Sequence, residues 1–126
     1  LLLLKEADKK NPSYLVADIA YNKMVKEIEK TISMMEYINE AIKEDRVVPV
    51  YQPILDAKTD KIYKYECLVR IKKADGGLLS PFHFLEIAKQ SEQYSKITKI
   101  MIQKTFEYMS KQNPKIEFSI NLSSLD

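Results

Sequence analysis

Apolar residues recur at helical spacing in the early part of the chain, between Asp18 and Asp45. They fall on two positions of a seven-residue repeat, which is the pattern of a helix with one apolar face. The residues of this stripe are Tyr21, Met24, Ile28, Thr31, Met35, Ile38 and Ile42, with Val25 and Ile32 beside it. The pattern predicts one long helix over residues 18–45, with Asp18 as its N-cap. Because the stripe is wider than a coiled-coil seam, two interpretations stay open: the helix packs on its own domain, or it is a signalling helix that dimerises or transmits rotation between modules.

Two segments with the composition of strands follow the helix, at residues 51–55 and from residue 62 onwards. Only residues 56–61 connect them, whereas a parallel crossover needs a dozen residues or more. The two segments therefore predict an antiparallel hairpin. Pro49 and Pro53 lack an N–H donor, which restricts the first strand to an edge or to a position where those nitrogens face away from a neighbour.

The rest of the chain predicts helices followed by a third strand. Residues 74–77 contain both glycines and predict a tight turn that leads out of the sheet. Ser80 then caps a helix with Pro81 at its first position, and a second helix is expected over residues 95–109. Residues 116–120 alternate between apolar and polar and form the third strand. Since a strand–helix–strand connection is right-handed, the second and third strands are expected to be parallel.

The second strand carries an unusual combination of polar side chains. Successive side chains of a strand point to opposite faces, so Glu66, Leu68 and Arg70 share one face and Tyr65 and Cys67 lie on the other. A carboxylate in a sheet is costly unless it is paired or binds a cation, and an arginine beside it is suited to a phosphate oxygen. A metal next to a phosphate is the simplest joint interpretation. The alternative is that Glu66 and Arg70 pair with interior neighbours.

Composition and charge narrow the class of protein. The chain has 126 residues, of which 45% are hydrophobic and 30% are charged, as in an ordinary globular domain. Lys and Arg number 20 against 18 Asp and Glu, and the scattered basic residues argue against a groove for a nucleic-acid polymer. The single cysteine, Cys67, suits a reducing compartment and is most simply a small buried hydrophobe. His83 is expected to be a solvated or capping residue, and Tyr63 and Tyr65 to be packing residues.

Four segments, in this order, resemble the EAL domain, the family that hydrolyses the bacterial second messenger cyclic di-GMP. They are Tyr51-Gln52-Pro53-Ile54, Glu66-Cys67-Leu68-Val69-Arg70, the stretch from Leu79 to Ala88, and Ser119-Ile120-Asn121-Leu122-Ser123. Cys67 stands where the family signature has alanine. The resemblance covers residues 46–126 and implies an α/β fold. This fold is the first part of a TIM-type barrel, in which a hairpin is followed by a right-handed strand–helix–strand unit and the long amphipathic helix comes before both.

The resemblance also implies roles for individual residues. In such a barrel, the chemistry takes place at the carboxyl ends of the strands. Glu66 and Asn121 are implied to be metal ligands, and their oxygen donors suit Mg²⁺ or Mn²⁺. Arg70 is implied to hold a phosphate of cyclic di-GMP and Leu68 to contact a guanine. The residues implied to bind the substrate are Gln52, Leu68, Arg70 and Pro81.

The family's remaining acidic ligands and its catalytic lysine belong to strands that follow this sequence. We therefore expect the 126-residue chain alone to be inactive. The parent protein is expected to be a phosphodiesterase that forms the linear dinucleotide with two metal ions. The alternative is a catalytically silent cyclic di-GMP receptor or protein-interaction module that uses the same pocket. The presence of Glu66 and Asn121 favours the enzyme, because a receptor could lose either residue without penalty.

The first residues resemble the end of a GGDEF domain, through Ala7-Asp8-Lys9-Lys10-Asn11, with a turn at Asn11-Pro12 and a short strand after it. The expected organisation is a GGDEF-like tail over residues 1–17, a linker helix over 18–45 and the N-terminal portion of an EAL domain over 46–126. The apolar run at residues 1–4 is too short for a bilayer, which requires about 20 residues. We expect a cytoplasmic segment without membrane contact and, because an unfinished sheet has an open edge, a homo-oligomer. Membrane anchoring of the parent is left open.

Overall fold

The computed structural model describes residues 12–112 and 116–123, and within them a long helix comes first. Helix α1 spans Pro12–Lys43 and begins before the predicted start. The short strand expected after Asn11-Pro12 is therefore wrong, and Asp18 lies inside the helix rather than at its N-cap. Proline fits the first turn of a helix, and Tyr14 and Ala17 occupy the two heptad positions that precede Tyr21. The GGDEF-like stretch at residues 1–11 lies outside the described residues.

The chain divides into two compact units, one up to Met34 and the other from Met35 onwards. The described part of the first unit is the N-terminal portion of α1. Its larger apolar side chains are about half exposed or more; these are Leu15, Val16, Ile19, Tyr21, Met24, Ile28 and Ile32. On the polar side, Lys30 and Glu27 form an ion pair one helical turn apart. Tyr21, Met24, Ile28 and Ile32 lie on one side of this part of the helix and form its exposed apolar face. Leu15, Val16 and Ile19 lie on the other side, which also carries Lys23, Lys26 and Lys30.

The second unit is built on a hairpin of two long strands. Strand β1 (Val47–Leu55) pairs antiparallel with β2 (Ile62–Lys72), which confirms the predicted hairpin. In the turn, a carboxylate oxygen of Asp56 accepts hydrogen bonds from the backbone N–H groups of Lys58 and Thr59. Among the described strands, β1 has β2 as its partner on one side, as expected for a strand that contains two prolines.

The other edge of β2 is shared by two short strands. Strand β3 (Leu78–Leu79) pairs antiparallel with the end of β2, and β4 (Phe118–Ile120) pairs parallel with its first half. The parallel pairing confirms the prediction, although the third strand begins at Phe118 and not at residue 116. The turn at Gly76, which has a φ of 85°, leads back into the sheet through β3 and not out of it, so that prediction is corrected.

Helical segments connect β3 to β4. A 3₁₀ turn spans Pro81–His83, a single helical turn α2 spans Leu85–Ala88, and helix α3 spans Gln93–Met109. Ser80 occupies the N-cap position, but its side chain makes no capping hydrogen bond, so the helix expected there is a 3₁₀ turn followed by a short α-helix. Helix α3 starts two residues before the predicted Ser95.

The core of the second unit lies between the sheet and the helices. Its fully or almost fully buried residues are Ile38, Ala41, Val47, Cys67, Ile71, Phe84, Ala88, Tyr94, Ile97 and Met101. The last turns of α1 belong to this core, since Ile38 and Ala41 are buried and the Nζ of Lys104 on α3 donates to the carbonyl of Val47 just beyond the helix. For this end of the helix, packing on its own domain is the correct interpretation. None of the described helices has the length and apolar character needed to cross a bilayer.

Candidate functional site

Two predicted metal ligands meet at one end of the sheet. Glu66 lies on β2, directly beside Ser119 of the parallel strand β4. Asn121 comes directly after β4, two residues beyond Ser119, and so extends from the same face as Ser119. As a result, the side-chain amide of Asn121 donates a 2.7 Å hydrogen bond to a carboxylate oxygen of Glu66, across 55 residues of sequence. The parallel register therefore brings together two oxygen-bearing side chains at the position expected from the sequence.

The chemistry of this pair fits one part of a divalent cation site. A carboxylate oxygen and an amide oxygen are both ligands of Mg²⁺, which takes six oxygen donors in total and keeps several waters. Within residues 12–112 and 116–123, no group of three or more Asp, Glu, His and Cys side chains is placed to hold a metal. Glu66 and Asn121 are the predicted ligands that the described part of the chain brings together.

The predicted substrate-binding residues lie around this pair. Gln52 on β1 is directly opposite Glu66 in the hairpin register. Leu68, Pro81 and Asn121 line one cavity of about 290 Å³ between the sheet and the helices. Gln52 and Asn121 are therefore the predicted residues that lie directly beside Glu66. Leu68, Pro81 and Asn121 share the cavity, whose lining does not include Glu66, Gln52 or Arg70.

Arg70 lies further along β2 on the same face as Glu66. Its guanidinium donates a 2.8 Å hydrogen bond to the carbonyl of the preceding residue, Val69, and the side chain is half-buried. Within the described residues it forms no ion pair with a carboxylate, and Glu66 is bonded to Asn121 instead. Within the described residues Glu66 thus pairs with Asn121, and Arg70 with a backbone carbonyl. Both the metal-and-phosphate interpretation and the pairing with interior neighbours stay predictions.

The opposite face of the sheet is packing surface. Cys67 is 3% exposed, and burial raises the pKa of its thiol, as expected for an unreactive structural cysteine. The ring of Tyr51 stacks on Tyr108 with centroids 4.6 Å apart, and Tyr65 stacks on Phe118. Burial likewise raises the pKa of the Tyr51 hydroxyl, an effect that the neighbouring Thr105 hydroxyl partly offsets. The contact between Tyr51 and Tyr108 joins β1 to α3, and the contact between Tyr65 and Phe118 joins β2 to β4. Neither contact involves Glu66 or Asn121.

Two aromatic positions differ from the expectations or were missed. Tyr63 was expected to pack on the helix-facing side, but it is 59% exposed; it lies near the start of β2, before the segment that pairs with β4. His83 is exposed, in agreement with a solvated residue, and it contacts the ring of Phe82 edge to face. Phe82 itself was not singled out from the sequence. The only available signal was a second phenylalanine within Pro81-Phe82-His83-Phe84, of which only Phe84 is needed for the core.

Comparison with known proteins places this site in a family. The family model of the EAL domain matches residues 35–126, which is most of the chain. The chain is 34% identical over 90 residues to "Probable cyclic di-GMP phosphodiesterase PdeB" of Escherichia coli K12, covering 69% of this chain and 17% of that protein. It is 30% identical over 101 residues to "Cyclic di-GMP phosphodiesterase PdeF" of the same organism, covering 78% of this chain and 13% of that protein.

Solved structures agree with this result at the level of the fold. The FimX EAL domain of Xanthomonas citri, solved in complex with c-diGMP, superposes with a TM-score of 0.65 at 20% identity. The superposition covers 77% of this chain and 38% of that one. The chain therefore belongs to the EAL domain family, and its hairpin with the following parallel strand is the start of a TIM-type barrel that these residues do not close. It spans less than a fifth of the length of the two curated relatives.

Proposed function

We propose that this chain is part of a bacterial signalling enzyme that hydrolyses cyclic di-GMP to the linear dinucleotide. The observation that carries the proposal is the contact between Glu66 and Asn121 at one end of the parallel strand pair. Two relatives, 34% and 30% identical to this chain, are named as a probable cyclic di-GMP phosphodiesterase and a cyclic di-GMP phosphodiesterase. Their names support cyclic di-GMP as the substrate. The chain matches only 17% and 13% of the length of those proteins, so the proposed activity belongs to the complete parent protein and the 126-residue chain alone is proposed to be inactive.

The proposed cofactor is Mg²⁺ or Mn²⁺. Glu66 and Asn121 would hold one side of the cation shell through a carboxylate oxygen and an amide oxygen. A bound cation would activate a water and stabilise the charge that develops on the phosphodiester. The hydrogen bond from Asn121 keeps the Glu66 carboxylate in place on β2 and so limits the reorganisation that binding requires.

The remaining roles concern the substrate. Arg70 carries a permanent positive charge on the same face as Glu66 and is suited to bind a phosphate oxygen. Leu68 and Pro81 give one wall of the 290 Å³ cavity an apolar surface for a guanine base, and Gln52 contributes an amide opposite Glu66. This arrangement puts a charged region for the phosphates beside an apolar region for the bases.

The decisive experiment uses the complete parent protein. Incubation with cyclic di-GMP and Mg²⁺ is expected to give the linear dinucleotide, detected by chromatography, and Glu66→Ala is expected to abolish the reaction. The matched control is Glu107→Ala, because Glu107 is an exposed glutamate on α3 whose recorded contact is with Gln103 of the same helix. A parent that binds cyclic di-GMP but leaves it intact would be the catalytically silent receptor, and the proposal of hydrolysis would be wrong.

We also propose that the protein acts in the cytoplasm as a homo-oligomer, downstream of a GGDEF-like domain. The free, buried thiol of Cys67 supports a reducing compartment. The exposed apolar face of α1 formed by Tyr21, Met24, Ile28 and Ile32 supports assembly through this helix, because contiguous exposed apolar residues mark interaction surfaces. The GGDEF-like segment is proposed on its sequence resemblance alone.

A further inference from the structure

One aromatic side chain near the candidate site is unusually exposed. Phe82 is 89% exposed, the highest value among the large hydrophobic residues that are exposed in the described part of the chain. Burying a phenylalanine is favourable, so an almost fully exposed ring is explained either by a binding partner or by a position on a mobile segment that no partner covers. Phe82 does not lie on a loose segment.

The backbone around Phe82 is fixed on both sides. Pro81 has a restricted φ, and the N–H of His83 donates to the carbonyl of Ser80 over 3.1 Å. The N–H of Phe84 donates to the carbonyl of Pro81, also over 3.1 Å, and the Phe84 ring is completely buried. The turn is therefore anchored in the core by Phe84, while Phe82 is displayed outwards from the same turn. A rigid backbone that presents an aromatic ring with two side-chain torsions loses little entropy when the ring binds a partner.

The position of this turn indicates what the partner is. Pro81, the residue directly before Phe82, lines the cavity that is also lined by Leu68 and Asn121. The turn that carries Phe82 therefore borders this cavity, and Asn121 connects the cavity to Glu66 through its hydrogen bond. On its other side, the imidazole of His83 lies 5.5 Å from the Phe82 ring at 86°, so the two rings support one another.

We propose that Phe82 stacks on one guanine base of the bound cyclic dinucleotide. This inference rests on the proposed function and assigns a residue that contacts the base to it. A purine offers a flat aromatic face, and stacking on an aromatic side chain is the common way in which proteins hold a base independently of its hydrogen-bonding edge. The permanent charge of Arg70 and the cation-binding pair suit the phosphates, and the exposed ring and Pro81 offer the apolar surface that a base requires.

The test compares equilibrium affinities of variants of the complete parent protein. Cyclic di-GMP is titrated calorimetrically with EDTA present to prevent turnover. Phe82→Ala is expected to weaken binding about tenfold, whereas Phe82→Tyr, which keeps the ring, stays within about threefold of the wild type. The matched control is Phe106→Ala, since Phe106 is a 61% exposed phenylalanine on α3 whose neighbours in the chain do not line the cavity, whereas Pro81 beside Phe82 does. It is expected to leave the affinity unchanged.

A spectroscopic variant separates stacking from a general loss of structure. The chain contains no tryptophan, so Phe82→Trp introduces a local fluorescent probe into this segment, with Phe106→Trp as its counterpart. Cyclic di-GMP is expected to quench the emission added by Phe82→Trp and not that added by Phe106→Trp. Unchanged affinity of Phe82→Ala, or no quenching in Phe82→Trp while the ligand binds, would overturn the stacking role and leave the proposed function intact. A wild-type parent that does not bind cyclic di-GMP would overturn both.

Discussion

The side-chain amide of Gln93, at the start of α3, donates a 2.7 Å hydrogen bond to the backbone carbonyl of Met35 on α1, 58 residues earlier in the chain. Gln93 is buried, and Met35 lies in the last part of α1, where backbone carbonyls would otherwise depend on their helical partners alone. The bond joins the last part of α1 to α3, the helix that packs on the sheet. It is therefore a testable polar link between the end of α1 and the rest of the second unit.

The first prediction concerns this link. Gln93→Ala removes a buried donor and leaves a small cavity, so it is expected to lower the free energy of unfolding by about 1–3 kcal/mol. Urea unfolding of the 126-residue chain measures the effect. Gln103→Ala is the control, because Gln103 is bonded on the surface of α3 to Glu107, and a change of about 0.5 kcal/mol or less is expected there. Equal effects of the two substitutions would contradict a specific role for the Gln93–Met35 bond.

The second prediction concerns Arg70 in the parent enzyme. Arg70→Ala removes a charge suited to a phosphate and is expected to weaken substrate binding by about 1.5–3 kcal/mol, the scale of a hydrogen bond to a charged group. Binding titrations in EDTA give the affinity directly. Arg46→Ala serves as the control, since Arg46 interacts with Glu44 and Tyr37 at the end of α1 and is not part of the cavity. An Arg70→Ala parent with the affinity of the wild type would rule out the phosphate role.

Much of the arrangement around Glu66 and Asn121 could be predicted because it depends on strong local signals. The short connection after residue 55 permits only a hairpin, and the strand–helix–strand order favours a parallel pair, so the meeting of the two side chains follows from pairing and alternation. Their roles as metal ligands stay a prediction. The residue positions came from the family resemblance as much as from the pattern.

Other features escaped prediction for identifiable physical reasons. Strand β3 consists of Leu78 and Leu79 alone, which is too short to show a period of two. Tyr63 follows the alternation of β2, but a side chain is buried only where a second layer covers its strand. The start of α1 was placed too late because Asn11-Pro12 is a turn signal as well as an acceptable helix start. In each case the missing information is tertiary and not local.

The third prediction concerns pH and the hairpin turn. Hydrogen bonds from the backbone N–H groups of Lys58 and Thr59 hold the pKa of the Asp56 carboxyl below its usual value of 3.8. A carboxyl with a lowered pKa stabilises the fold above its unfolded pKa, and this contribution disappears as the pH falls through the folded pKa. Asp56→Ala is therefore expected to lower the Tm at pH 7 and to have a smaller effect when both proteins are measured well below pH 3.8.

Asp56→Asn provides the control for this prediction. Asparagine keeps an oxygen that can accept the two backbone hydrogen bonds but cannot ionise. The variant is expected to retain most of the turn's stability at pH 7 and to lose the part of the pH dependence that Asp56 contributes. A Tm difference between wild type and Asp56→Ala that is constant from pH 7 to below pH 3 would show that the charge of Asp56 does not act through this turn.

The last prediction concerns assembly. Ile28 and Ile32 are each 51% exposed and lie one turn apart on the apolar face of α1, so pairing of two such helices would bury both. The 126-residue chain is expected to be a dimer or larger at micromolar concentration, measured by light scattering, and the double substitution Ile28→Lys and Ile32→Lys is expected to shift it towards the monomer through charge repulsion and lost burial. Replacement of Lys26 and Lys30 by alanine on the polar face is the control, for which the size should not decrease. A wild-type chain that is monomeric and melts cooperatively would exclude assembly through this face, since the exposed residues would then be tolerated without a partner.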